Sequence, residues 1–120
     1  MKINKNIEVT TVDTYYAHIF VGMKKGYDGP IQSKDKAIDV IRNFCDTVKL
    51  CVTVEDVDFI YPGGYEDGIK VGLINYPRFP DTPEHITNRA LQLAEKLKTT
   101  YNQFRISVVT KDETHLIGEL

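Results

Sequence analysis

Apolar positions along this chain recur with two different periods, and the changes of period divide it into elements. Residues 7–12 (Ile-Glu-Val-Thr-Thr-Val) alternate apolar and polar, and residues 14–22 are rich in aromatic and β-branched side chains. Both read as strands, the second central in a sheet. Three glycines and a proline within 22–30 then make a loop. Ser33 can cap the next element, in which Ala37, Ile38, Ile41, Phe44, Cys45 and Val48 form one helical stripe. This spacing predicts a helix over 34–48.

Residues 51–61 read as a long strand with a fault. Val52 and Val54 share one parity and Val57 and Phe59 the other, which predicts a bulge at Glu55-Asp56. Residues 62–68 read as a hairpin loop and 69–76 as the returning strand, with Gly72 permitting a close backbone approach. Pro77, Pro80 and Pro83 lack a backbone N–H, so no ladder continues through them. They form a stiff elbow that holds Arg78 and Phe79.

Asp81 or Thr82 caps a second helix, with Pro83 in its first turn and Ile86, Ala90, Leu93, Ala94, Leu97 and Tyr101 as its buried stripe. Residues 104–109 alternate as a last strand, with Phe104, Ile106 and Val108 inward and Arg105 and Ser107 outward. The order is β-β-α-β-β-α-β. It predicts an α+β, ferredoxin-like variant: an antiparallel sheet with two helices on one face. One domain spans 1–120, with 1–13 as an N-terminal strand or arm. Residues 111–120 read as a polar tail whose Leu116-Ile117 pair docks or makes a subunit contact. The other sheet face is left for a ligand or a second copy of the chain.

Charge narrows the partners. A net charge of −2 and 42% apolar residues describe an ordinary globular chain without a general basic field for nucleic acid or an anionic membrane. Any anion must be held by a local cluster. The N-terminus has no apolar signal core, and no segment approaches membrane-spanning length, so the expectation is cytosolic. Cys45 and Cys51 lack metal-finger spacing, and Cys45 falls on the apolar stripe as a buried thiol.

The first candidate site joins Arg78 and Phe79 of the elbow to Arg105 of the last strand, with Asn75 and Asn88 reading a polar edge. Convergent guanidiniums, an aromatic face and helix N–H groups suit a phosphate with an attached base. The plainer alternative makes Arg105 a surface cation and Phe79 a core plug. The second candidate is the glycine loop, where Lys24, Lys25 and Tyr27 resemble the tip of a lid. Its spacing is not that of a phosphate-binding loop. Catalytic signals are lacking: His18, His85 and His115 show no metal spacing, and no nucleophile signature appears. The carboxylates of 55–58 and 66–67 read as solvated charge.

The strings Gly72-Leu-Ile-Asn-Tyr-Pro-Arg-Phe-Pro80, Val21-Gly-Met-Lys-Lys-Gly-Tyr-Asp-Gly29 and Cys51-Val-Thr-Val54 resemble a family of phage-encoded proteins, the anti-Thoeris sponges. The likeness runs over 14–117. It implies a homo-oligomer that sequesters a cyclic ADP-ribose isomer without cleaving it, with no catalytic residue, cofactor or metal. Carried to this sequence, it implies Arg78, Phe79, Asn88, Arg105 and Lys24 as ligand residues. Two other readings stand beside it. One is a ferredoxin-like regulatory or dimerisation domain. The other is a small nucleotide-acting enzyme using Asp56, Asp58 or His18 as base.

Overall fold

A computed structural model describes residues 2–4, 6–26 and 29–118 of the chain. Two short strands, β1 (Lys2–Asn4) and β2 (Ile7–Glu8), form a ladder of their own. The main sheet follows: β3 (Tyr16–Gly22), α1 (Asp35–Val48), β4 (Thr53–Tyr61), β5 (Gly64–Ile74), α2 (Pro83–Thr100), β6 (Arg105–Thr110) and β7 (Thr114–Gly118). Its order is β4-β5-β3-β6-β7 and every pairing is antiparallel. Strands β3 to β6 with the two helices make the expected ferredoxin-like unit, and β7 extends one edge.

Alternation decides which face is covered. Ala17, Ile19 and Val21 of β3, Ile69, Val71 and Leu73 of β5, and Ile106 and Val108 of β6 are all buried toward the helices. Ala37, Ile41 and Phe44 of α1 and Ile86, Ala90, Leu93, Ala94 and Leu97 of α2 complete this core. Each fully buried Leu or Ile contributes about 1.5–3 kcal/mol. The expected stripe of α2 is buried throughout, whereas that of α1 is buried only at Ala37, Ile41 and Phe44; Ile38, Val48 and the Cys45 thiol, expected inside, are half-buried. The opposite sheet face carries Tyr16, His18 and Phe20 with no helix over them.

Tyr101 ties the two helices together. Its buried hydroxyl donates to the Ser33 carbonyl at 2.6 Å and accepts the Ala37 N–H at 2.9 Å. A first-turn amide of α1, which has no intrahelical acceptor, is thereby satisfied from the end of α2. Thr82 caps α2, its hydroxyl accepting the His85 N–H at 3.1 Å with Pro83 next in line.

Five expectations are corrected. The register of β4 on β5 runs unbroken through Glu55↔Lys70 and Asp56↔Ile69, so no bulge exists there. The parity switch has another cause: the hairpin outruns the helices. Its helix-side residues Asp56, Asp58, Ile60, Tyr65 and Asp67 are all exposed, Ile60 at 81%. With no core on that side, Val57 and Phe59 need only the other face. The hairpin turn is also far tighter than 62–68, since Tyr61 already pairs with Gly64. The tail is strand β7 over 114–118, and the N-terminal strand is confined to Ile7–Glu8. Phe104 lies outside β6 and is exposed rather than inward.

Candidate functional site on the open sheet face

The proline elbow is built around Asn75. Its backbone N–H donates to Tyr15 O at 3.0 Å, and its side-chain amide donates to Asp13 O at 2.8 Å. Its Oδ1 accepts the Asp81 N–H at 2.9 Å. Asn75 therefore clasps the strap 9–15 to the start of α2, and most of its hydrogen-bonding capacity is spent on the fold. Beyond it the chain turns tightly, with Phe79 N–H on Tyr76 O at 3.0 Å. Phe79 is 72% exposed, which removes the core-plug alternative, and the Arg78 guanidinium stacks on its ring at 5.5 Å.

Arg105 does not join them. Arg78 follows Ile74, which pairs with Tyr16 at one end of β3; Arg105 precedes Ser107, which pairs with Phe20 toward the other end. At about 3.3 Å per residue, roughly 20 Å of strand separates the two backbones. Asn88 lies on the exposed side of α2, opposite the residues that pack on the sheet. The expected convergence of Arg78, Phe79, Asn88 and Arg105 on one phosphate is therefore not made within one chain. The parity of each residue was legible, but not which end of the sheet it reaches.

Lys24 shares the Arg105 end, where Gln103 Nε2 donates to the Lys24 carbonyl. The loop there is closed by Met23 N–H on Asp67 O at 3.0 Å and by Gln32 N–H on Met23 O at 2.7 Å. Tyr27 and Asp28, the expected lid tip, lie outside the described residues. Lys24 meets two hairpin residues. Its N–H donates to Glu66 Oε2 at 2.7 Å, and its Nζ donates to the Tyr61 hydroxyl at 3.2 Å. The Glu66 carboxylate lies directly against Gly22, in space that any Cβ would fill. Phe59 and Tyr61 stand on the same face of β4. An ammonium and a carboxylate are thus gathered beside two aromatic rings, one of them a phenol.

On the other side of the hairpin, the exposed Tyr65 hydroxyl shares its one proton between Asp67 and Asp58, the latter at 2.7 Å. Asp58 and Asp67 are direct cross-strand partners, so the shared phenol offsets their repulsion. Donation to Asp67 first, and then to Asp58, pushes the Tyr65 phenol well above its usual value. Reading 62–68 as loop hid this arrangement. As strand, the same residues place Glu66 and Tyr65 on opposite faces.

The other end of the open face holds a cleft of about 400 Å³ under the strap 10–14. Thr10, Thr11, Thr14, Tyr16, His18 and Ile74 line it, with Pro77 at the elbow. The Tyr16 and His18 rings stack at 4.8 Å between centroids and 25° between planes. Burial, helped by Lys70 and opposed by Glu55, lowers the His18 pKa below the ordinary histidine value. A larger hollow of about 830 Å³ lies between α1 and α2 and contains none of these residues. Among the described residues no three metal-ligating side chains come together, and no helix is long and apolar enough to cross a membrane.

No family model and no curated protein matches the chain, so the sponge resemblance has no family-level match. Two solved structures share its fold. A phage SAM lyase in the apo state superposes with a TM-score of 0.73 at 18% identity, over 88% of this chain and 89% of that one. A phage SAM lyase in complex with S-methyl-5′-thioadenosine superposes with a TM-score of 0.70 at 16% identity, over 94% and 95%. Both cover nearly the whole of each chain. The expectation of a chain that is not an enzyme is overturned by this likeness, because the structures that share its fold are lyases. A lyase can break its bond with neither a nucleophile signature nor a metal set, so the lack of both in the sequence does not exclude one.

Proposed function

We propose that this chain is an enzyme acting on S-adenosylmethionine, cleaving it to S-methyl-5′-thioadenosine at the hairpin end of the open sheet face. The observation that carries the reading is the end-to-end superposition on two SAM lyases, one of them holding that thioether. The chemistry asks little of a protein. The bond between sulfur and the γ-carbon of the amino-acid arm breaks, and its electron pair stays on sulfur, turning the sulfonium into a neutral thioether. The arm's own carboxylate closes onto the γ-carbon and gives a five-membered lactone. No water, base or external nucleophile is consumed. The protein has to fold the arm so that carboxylate and γ-carbon meet, and proximity of this kind is a large catalytic term.

Glu66, Tyr61 and Lys24 suit that task. Glu66 is an acceptor for the substrate's α-ammonium, while Lys24 Nζ orients the carboxylate. The Phe59 and Tyr61 rings offer faces to the sulfonium. Positive and negative charge are both lost as the ring closes, so aromatic walls that exclude water favour the step. Further copies of the chain cover the open face away from the strap, where Phe20, Val57 and Phe59 are only partly buried and Leu116 is exposed, making a homo-oligomer. A cyclic ADP-ribose isomer fits less well, because Arg78 and Arg105 stand at opposite ends of the sheet and share no pyrophosphate within a chain.

The test is direct. Purified chain is incubated with S-adenosylmethionine and the mixture resolved by reverse-phase chromatography. Formation of S-methyl-5′-thioadenosine well above spontaneous decay, with many turnovers per chain, is expected. Recovery of the substrate at the rate of a protein-free blank sinks the reading.

A further inference from the structure

The cleft at the strap end has no part in the chemistry proposed for the hairpin end, from which most of the length of β3 separates it. Its construction is that of a binding site. The strap that roofs it is fixed at two points, by Asn75 Nδ2 on Asp13 O at 2.8 Å and by Asn75 N–H on Tyr15 O at 3.0 Å. Behind it the Tyr15 hydroxyl is held by Thr87 Oγ1 at 2.8 Å. Because the strap is pinned where it joins β3, a ligand entering beneath it bears a reduced ordering cost.

The lining defines the chemistry of the occupant. Two aromatic rings, one phenol and one imidazole, stack along one wall. Three threonines, Thr10, Thr11 and Thr14, supply hydroxyls that both donate and accept. No carboxylate, ammonium or guanidinium lines the space among the described residues. The lowered His18 pKa keeps its imidazole uncharged at neutral pH, so the wall stays neutral. A sulfonium or a phosphate would enter without a countercharge, at a desolvation cost. A flat, neutral heterocycle bearing hydroxyls would not. A volume of about 400 Å³ lies toward the small end of ligand sites and suits one nucleoside rather than a dinucleotide.

We infer that the strap cleft is a second ligand site, for an uncharged purine nucleoside, whose base lies against the Tyr16–His18 wall and whose sugar hydroxyls meet the threonines. The site stands independently of the lyase reading, since it requires binding and no turnover. It gives the chain a place to take up a neutral nucleoside apart from the charged hairpin cluster.

Adenosine is the probe. Titrated into the ¹⁵N-labelled chain, it is expected to shift amide signals of 10–18 and 74–77 saturably. Thr11→Arg, an exposed position on the strap, drives a long cation into the cleft and is expected to weaken binding at least about tenfold. Glu66→Gln at the far end is expected to bind adenosine as the wild type does even where it has lost turnover, which separates this site from the lyase reading. Shifts confined to 22–26 and 59–68, or no saturable shift at millimolar adenosine, overturn the inference. If Thr11→Arg is misfolded by its own spectrum, Thr14→Val takes its place, removing a hydroxyl at nearly constant volume, with the same expected direction and the same overturning result.

Discussion

Glu66 reaches from the tip of one hairpin to accept the backbone N–H of Lys24 at 2.7 Å, pinning the loop after β3 to the strand pair beside it. The contact does two jobs that substitution can separate. Glu66→Gln keeps a carbonyl oxygen for the amide but loses the negative charge. Folding is expected to survive nearly intact, while conversion of S-adenosylmethionine falls by at least about a hundredfold, roughly 2.7 kcal/mol of transition-state stabilisation. Glu66→Ala loses the acceptor as well and is expected to cost about 1–2 kcal/mol of stability in addition. Steady-state kinetics beside urea melts of both variants decide this. Equal activity in Glu66→Gln and wild type would remove Glu66 from the site.

The buried hydroxyl of Tyr101 is expected to carry more stability than any surface contact described. Tyr101→Phe keeps the ring in its packed place but leaves the Ala37 N–H and the Ser33 carbonyl without their partner. A buried polar group left unpaired costs about 1–3 kcal/mol. The urea midpoint should fall by that amount divided by the slope, which stays unchanged. A variant as stable as the wild type would mean that water replaces the hydroxyl at the start of α1.

What could be read in advance follows from where a single period acts alone. The stripes Ala37–Ile41–Phe44 and Ile86–Ala90–Leu93–Leu97 face one core, so spacing gave their buried faces directly. The cap at Thr82 with Pro83 after it was equally local. Hairpin 53–74 misleads because its outer half has no core on the helix side, and there apolar parity stops reporting which face the helices cover. Site residues were harder still. The residue pattern singles out Arg78 and Arg105 as ligand residues, but whether the two meet depends on the direction and register of β5, β3 and β6, a non-local property. Glu66 was passed over as solvated charge, since nothing nearby in sequence reveals that Lys24, forty-two residues away, lies under it.

Gly68 is where the hairpin tolerates least. A Cβ there would sit 2.5 Å from the Val21 carbonyl oxygen and 2.2 Å from Cε2 of the Phe59 ring. The ring has some freedom to swing aside, whereas the carbonyl belongs to the central ladder and does not. Gly68→Ala is expected to destabilise the chain by about 1–3 kcal/mol, the usual cost of forcing atoms into a packed site. It should also displace Phe59, one wall of the hairpin site. Thermal unfolding followed with the Phe59 ring signals tests both. An unshifted ring and an unchanged midpoint would show that β4 yields more easily than the close contact implies.

The last expectation concerns acid. His18 has its pKa lowered chiefly by burial, then by the Lys70 ammonium, with Glu55 pulling the other way. The folded chain therefore takes up its proton at lower pH than the unfolded chain, whose histidine titrates near 6.5. Between those two values the unfolded state binds more protons, so stability rises with pH and falls as acid is added. The contribution is fully present above the unfolded value. It is lost as pH falls through that value to the folded one, and below the folded value this residue adds no further loss. His18→Gln keeps a polar side chain at the position but cannot titrate in that window. Urea midpoints compared at about pH 7.5 and about pH 5.5 should therefore fall less for His18→Gln than for the wild type. The difference should shrink in Lys70→Met, which removes the cation that helps to lower the His18 pKa. Parallel pH profiles for wild type and His18→Gln would place the acid sensitivity of the fold elsewhere.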